Sequence, residues 1–257
     1  MSLQDKVAVI TGAAAGLGRE AALIFAARGA RVIAVDIEAD GLAATAETAA
    51  SSAFEPVTAD LSIEADVERV METAVSRFGR LDHLVNCAAI LPCAGARVDT
   101  FPTDAFLRAI EINLTGTFYC VKHATPPMEK AGGGVMILLA SGAGILGGSA
   151  SVPYAASKGG VHGLALCVRE QVNPLGIRMH VALPENMNTR IRVGAIGEMA
   201  ERRGESREEA EEKEYDSLPS PERSARFLAG LASAEGEEVA DQLLISVGQW
   251  WENRTYD

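Results

Sequence analysis

Short apolar runs of strand length alternate with helical patterns along the whole of this chain, and that alternation constrains the fold more than any other feature. Val7-Ala8-Val9-Ile10 is an unbroken apolar run, as a strand covered on both faces requires. A helical stretch from Leu17 to Arg28 follows, and Gly29 supplies its stop. Strands are expected at Arg31–Val35, Phe54–Ala59, Leu84-Val85, Val135–Ala140, Met179–Leu183 and Leu243–Val247. Helices are expected over Ala65–Phe78, Thr103–Ala124, from Tyr154 to about Gln171, and Glu222–Leu231. Pro126-Pro127 is expected to end the second of these. Such alternation implies βαβ units and a parallel sheet. The expected fold is α/β, one doubly wound domain over residues 1–257, with about seven strands and helices on both faces.

Bulk properties narrow the partners. A net charge of −12 argues against nucleic acid or an anionic membrane, and it says little about a small substrate, since a local site can oppose the global sign. No apolar run approaches the ~20 residues that span a bilayer, and a strand starting near Lys6 leaves no room for a secretory signal. Cys87, Cys93, Cys120 and Cys167 form no C-x-x-C pair, and His83, His123, His162 and His180 are scattered. No metal site is therefore expected, and reduced thiols suit a cytoplasmic protein.

The turn after the first strand reads Thr11-Gly12-Ala-Ala-Ala-Gly16-Leu17-Gly18. Glycines at such a strand-to-helix junction let the backbone approach a pyrophosphate, which the helix N-terminus attracts. The spacing is G-x-x-x-G-x-G rather than the common G-x-G-x-x-G. Asp36 follows about 20 residues on, where an acid accepts hydrogen bonds from a ribose and repels a 2′-phosphate. Ala15 and Ile37 supply no arginine to welcome that phosphate. NAD is thus favoured over NADP.

Tyr154 and Lys158 stand four apart, on one face of a helix. A neighbouring ammonium is expected to lower the phenol's pKa, ordinarily about 10. Ser141, from another element, is placed to hold a substrate oxygen beside the phenol.

Together these features resemble the short-chain dehydrogenase/reductase family, from Lys6 to about Val247. The motifs that carry the resemblance are T-G-x-x-x-G-x-G, Asp36, Asp60-Leu61, Asn86-Cys87-Ala88-Ala89, Asn113, Ser141 and Tyr154-x-x-x-Lys158, in the family's order. The resemblance implies a Rossmann-type fold and an NAD-dependent oxidoreductase acting on a secondary alcohol or ketone. It implies a catalytic set of Asn113, Ser141, Tyr154 and Lys158. Tyr154 would be the general acid/base and Ser141 the holder of the substrate oxygen. Lys158 would bind the nicotinamide ribose, and Asn113 would kink its helix and anchor a water leading to Lys158. It assigns Gly12, Ala15, Gly16, Leu17, Gly18, Asp36, Ile37, Asp60, Leu61, Asn86, Ala88, Pro184, Met187 and Thr189, with Tyr154 and Lys158, to the cofactor. It further implies a homotetramer or dimer assembled through the helices carrying Asn113 and Tyr154.

The chain departs from the family's P-G-x-x-x-T, reading Pro184-Glu185-Asn186-Met187-Asn188-Thr189. Losing the glycine removes easy access to positive φ, so a reshaped loop is expected, with Glu185 favoured as a rim carboxylate. Ile90, Leu91, Ile145, Leu146 and Met187 are expected to line an apolar substrate cleft, with Glu185 and Asn186 as its polar end. The charged stretch 198–216 is read as a solvated helix in preference to a mobile lid. Trp250-Trp251 is read as a subunit contact in preference to a pocket wall. The altered loop also keeps open a second reading, a non-catalytic NAD(H)-binding regulatory or scaffold protein.

Overall fold

The computed structural model describes residues 2–147 and 151–252. Seven parallel strands are β1 (Val7–Thr11), β2 (Arg31–Asp36), β3 (Phe54–Thr58), β4 (His83–Asn86), β5 (Gly134–Leu139), β6 (Ile177–Leu183) and β7 (Leu244–Ser246). They form one sheet in the order β3-β2-β1-β4-β5-β6-β7. The direction of winding reverses between β1 and β4, where Thr11 pairs with Asn86, and a crevice opens beyond the strands' carboxyl ends at such a point. The central strands are mainly apolar because both their faces are covered: Val7, Ala8, Val9 and Ile10 are fully buried. Pro56 falls on β3, an edge strand, where a missing N–H is tolerated.

Helices α1 (Gly16–Ala27), α2 (Ala39–Ala49) and α10 (Glu222–Ala232) pack on one face of the sheet around Phe25, Leu42 and Phe227. The other face carries α3 (Glu64–Phe78), α5 (Gly116–Lys130) and α7 (Val152–Val172) around Met71, Met128 and Val161. The remaining helices are α4 (Thr103–Ile110), α6 (Ala143–Leu146), α8 (Arg190–Arg202), α9 (Arg207–Ser217) and α11 (Val247–Glu252). None is long and apolar enough to cross a membrane among the described residues.

Three expectations need correction. The helix predicted to stop at Pro126-Pro127 runs through both prolines to Lys130. Each proline forfeits a hydrogen bond there, but Met128 beyond them is fully buried. Trp250 is neither a contact nor a pocket wall. Only 1% exposed, it packs edge-on against Phe227 at 5.6 Å between ring centroids. Its neighbour Trp251 is half-buried, with the Arg223 guanidinium 5.7 Å from its ring. Helix α2 has no counterpart among the predicted elements, since its alanine-rich surface offers few apolar landmarks beyond Leu42.

His83 and His180 are buried on the face that carries α1 and α10. His83 stacks edge-on against Phe25, and neither of its ring nitrogens has a hydrogen-bond partner among the described residues. Burial, which penalises the charged imidazolium, pushes both down to about 4. Unfolding therefore takes up protons between their ordinary value near 6.5 and about 4, so stability falls as pH falls through that window. The expected loss is about 3 kcal/mol per histidine. Urea unfolding followed from pH 7 to 4.5 checks this, and His83→Phe should flatten the dependence by roughly half. An unchanged slope in that variant would refute the assignment.

Candidate active site

The crevice at the winding reversal is a cleft of about 740 Å³. Its floor begins at Gly12, whose φ of +71° is one that side chains rarely adopt, and a Cβ there would meet the Ala88 nitrogen at 3.0 Å. Gly18, one turn into α1, lies so close that an added Cβ would strike the Gly12 carbonyl at 2.2 Å. Gly12 thus brings the β1–α1 turn against the β4 loop, and Gly18 seats α1 on that turn. Helix α1 has no side-chain cap and no acid in its first turn, so its N-terminal N–H groups need partners. Ala15, Gly16, Leu17 and Gly18 of that uncapped end all line the cleft. An anion is what such a terminus attracts. The donor set fits the pyrophosphate of a dinucleotide.

On the β2 side, Asp36 and Ile37 line the same cleft. The Asp36 carboxylate is fixed by main chain, accepting from the Ala14 and Glu38 nitrogens at 3.0 and 3.1 Å. Asp60 and Leu61 also line it, joined by an unforeseen residue, Arg108 of α4, which donates to Asp60 at 2.9 Å and Ser62 at 2.7 Å. Burial alone would raise the Asp60 pKa, but the hydrogen bonds from Ser62 and Arg108 and the Arg108 charge hold it below the usual range.

Asn86 lies beneath the cleft rather than on its wall. Its Oδ1 accepts from Thr11 Oγ1 at 2.6 Å, and its Nδ2 donates to Thr117 Oγ1 at 2.7 Å. Thr11 Oγ1 in turn accepts from the Ala88 nitrogen at 3.1 Å. This buried chain sets the height of Ala88, which does face the cleft.

Asn113 is likewise buried and off the wall. It sits in a single widened π-turn, Glu111–Thr115, between α4 and α5, which accords with the expected kink. Its side chain brackets Ile90, accepting from the nitrogen at 2.8 Å and donating to the carbonyl at 2.9 Å, and reaches Ser157 Oγ at 3.0 Å. Its own carbonyl accepts from Thr117 Oγ1 at 2.6 Å. Asn113 thus ties the β4 loop to α7.

Ser141, Tyr154 and Lys158 all line the cleft on the β5 side. Tyr154 enters α7 in its first turn, just after Pro153, where the helix dipole favours an anion. Lys158, 3% exposed, has its Nζ 5.7 Å from the Tyr154 ring centroid and donates to the Leu139 carbonyl at 2.6 Å. Burial pushes Lys158 down to about 8, with Cys87 opposing. The expected lowering of the phenol is not what the structure shows. Burial raises the Tyr154 pKa above its ordinary value, and the Ser141 hydrogen bond only partly offsets that. Geometry accords with this: the lysine spends its hydrogen bond on the Leu139 backbone carbonyl rather than on the phenol oxygen, and burial prevails.

The loop after β6 brings Pro184, Glu185, Asn186, Met187 and Thr189 to the cleft. Glu185 is absent from the non-glycine residues with positive φ, which are Asp5, Ala50 and Cys93, so losing the glycine strains nothing. Its carboxylate turns to Arg223 of α10 at 3.1 Å, as a rim residue would. Thr189 packs its methyl group toward Gly16, joining this loop to the β1–α1 turn. Ile90, Leu91 and Met187 line the cleft as expected, whereas Ile145 and Leu146 do not, Leu146 being 89% exposed.

The charged stretch spans the end of α8 and all of α9, which buries none of its residues. The α9 part is the solvated helix that the pattern implied, whereas the α8 part, with Ala200 fully buried, packs on the rest of the protein. Helix α8 roofs the cleft through Ile191, Arg192, Ala195 and Ile196. It grips the β4 loop at one residue: Glu198 accepts from the Ala94 nitrogen at 2.7 Å, and Arg202 donates to the Ala94 carbonyl at 2.8 Å.

An uncapped helix end and a buried phenol–ammonium pair on one cleft are the working parts of nicotinamide-linked oxidoreductases. The chain belongs to the short chain dehydrogenase family, whose profile matches residues 6–198. Among its relatives, the mitochondrial borneol dehydrogenase of Lavandula x intermedia is 37% identical over 182 residues, 71% of this chain and 69% of that protein. The crystal structure of levodione reductase superposes with a TM-score of 0.84 at 28% identity, covering 96% of this chain and 98% of that one. A 3-ketoacyl-(acyl-carrier-protein) reductase from Brucella melitensis, solved in complex with NADH, gives a TM-score of 0.80 at 27% identity, covering 97% of this chain and 100% of that one.

Proposed function

We propose that this protein is an NAD-dependent dehydrogenase of secondary alcohols, reducing the corresponding ketones in reverse. The observation that carries this reading is the meeting of Ser141, Tyr154 and Lys158 on the cleft that the uncapped end of α1 also faces. Bound nicotinamide supplies the hydride acceptor or donor. Tyr154 moves the proton at the substrate oxygen, and Ser141 donates a hydrogen bond to that oxygen. Lys158 contributes positive charge beside the phenol and binds the nicotinamide ribose. Asn113 is a positioning residue, acting through Ile90 and Ser157. Asp36 on the adenosine side supports NAD over NADP.

Residues 1–257 act as one domain in this reading, in the cytoplasm. Ile90, Leu91, Met187, Ile191 and Ile196 make the substrate end mainly apolar. With borneol dehydrogenase and levodione reductase among the similar proteins, an alicyclic alcohol or ketone is the favoured substrate. NADH formation across cyclic, open-chain and polyhydroxy secondary alcohols tests this, together with NADH consumption by the matching ketones. Turnover best on cyclic substrates is expected. Tight NADH binding with no turnover on any of them would instead favour the non-catalytic reading.

Exposed Leu107, Phe118 and Leu166 on α4, α5 and α7 support a dimer or tetramer formed through those helices. Light scattering should give a multiple of the 27.0 kDa chain, falling to the monomer in a Phe118→Asp/Leu166→Asp variant. A monomeric wild type would refute the assembly.

A further inference from the structure

Glu38 and Arg190 are 152 residues apart in sequence, yet they meet as an ion pair, and both line the cleft. Glu38 lies two residues beyond Asp36 and gives its own backbone N–H to the Asp36 carboxylate. Arg190 opens α8 directly after Thr189, the residue packed toward Gly16. The fold therefore brings a guanidinium to the edge of the site where Asp36 stands, although neither Ala15 nor Ile37 provides one. The hydrogen bond to Glu38 holds Arg190 above its ordinary pKa; burial opposes this, and the charges of Glu38 and Asp36 add to it. Among cations on the cleft, Arg108 is already held by Asp60 and Glu111.

We propose that Glu38 is a cofactor-selecting residue: by holding Arg190 it keeps from the ribose edge the guanidinium that would otherwise pair with a 2′-phosphate. The inference rests on the nicotinamide reading above and deepens it. Guanidinium is the side chain best matched to phosphate, through two parallel N–H donors. An Asp36 carboxylate alone, with an unoccupied arginine beside it, would discriminate weakly, because attraction and repulsion would nearly cancel. With Glu38 present the three groups sum to one negative charge, and the arginine's donors are engaged. The pair is largely solvent-exposed, with side chains 72% and 45% accessible, so it is weak in itself and a single substitution releases the arginine.

The test is titration of the purified full-length chain with NADH and with NADPH, followed by nucleotide fluorescence. The readout is the ratio of the two dissociation constants. Glu38→Gln should tighten NADPH about tenfold, as one freed charge-assisted contact implies, and leave NADH within about threefold. Adding Arg190→Gln to that variant should abolish the gain. Three results overturn the inference: NADPH binding unchanged in Glu38→Gln, a gain that persists without Arg190, or loss of NADH binding in Glu38→Gln. The second would mean that removing a negative charge acts alone, and the third would make Glu38 a support for the cofactor. Failure of the wild type to bind either nucleotide would overturn the nicotinamide reading itself, and this inference with it.

Discussion

Replacing Tyr154 by phenylalanine is expected to cut turnover about 10³-fold while NADH binding stays within about threefold. The magnitude is that of a positioned proton donor, and the variant removes one oxygen from a ring that otherwise keeps its place in the first turn of α7. The pH profile adds a sharper check. Burial holds the phenol above its ordinary pKa, so the deprotonated form needed for alcohol oxidation grows only as the medium becomes alkaline. Oxidation should therefore climb with pH beyond neutrality. Ketone reduction, which uses the protonated phenol, should be at full rate at neutral pH. An oxidation rate flat from pH 6 to 9, or a Tyr154→Phe variant with more than a tenth of wild-type turnover, would remove Tyr154 from the proton-transfer role.

Trp250→Ala should destabilise the fold by about 3–5 kcal/mol, the range for deleting a buried large aromatic. The indole is enclosed: Phe227 meets it edge-on, and a Cβ added at Gly230 would lie 2.5 Å from its Cζ2. Helix α10 thus carries a glycine where the ring rests. Chemical denaturation at fixed protein concentration measures the loss. A change below about 1 kcal/mol, accompanied by a smaller particle mass, would restore the tryptophan to a subunit contact.

What the sequence made legible was whatever is local. The seven strands sit within one or two residues of their expected bounds because most are short apolar runs bounded by glycine or polar residues. The glycine turn, Asp36, and the Tyr154–Lys158 pair were readable for the same reason. Other features depend on contacts that leave no trace along the chain. Prolines 126 and 127 read as a stop, and only the burial of Met128 beyond them carries the helix on. Arg108 and Asp60 are 48 residues apart, and Glu38 and Arg190 far more, so no spacing rule could join them. The pKa of Tyr154 was misjudged in direction because i, i+4 spacing sets a shared face but not which atom the ammonium serves. Here the Leu139 carbonyl takes it.

The two bonds by which α8 grips the β4 loop end on the amide nitrogen and carbonyl oxygen of Ala94, not on a side chain. Every amino acid except proline carries both atoms. The roof is therefore fastened to a part of the loop that most substitutions leave untouched. Side chains around the substrate end of the cleft can change size and polarity while the helix above them stays anchored. A lineage could explore new substrates through this loop without first having to rebuild the roof.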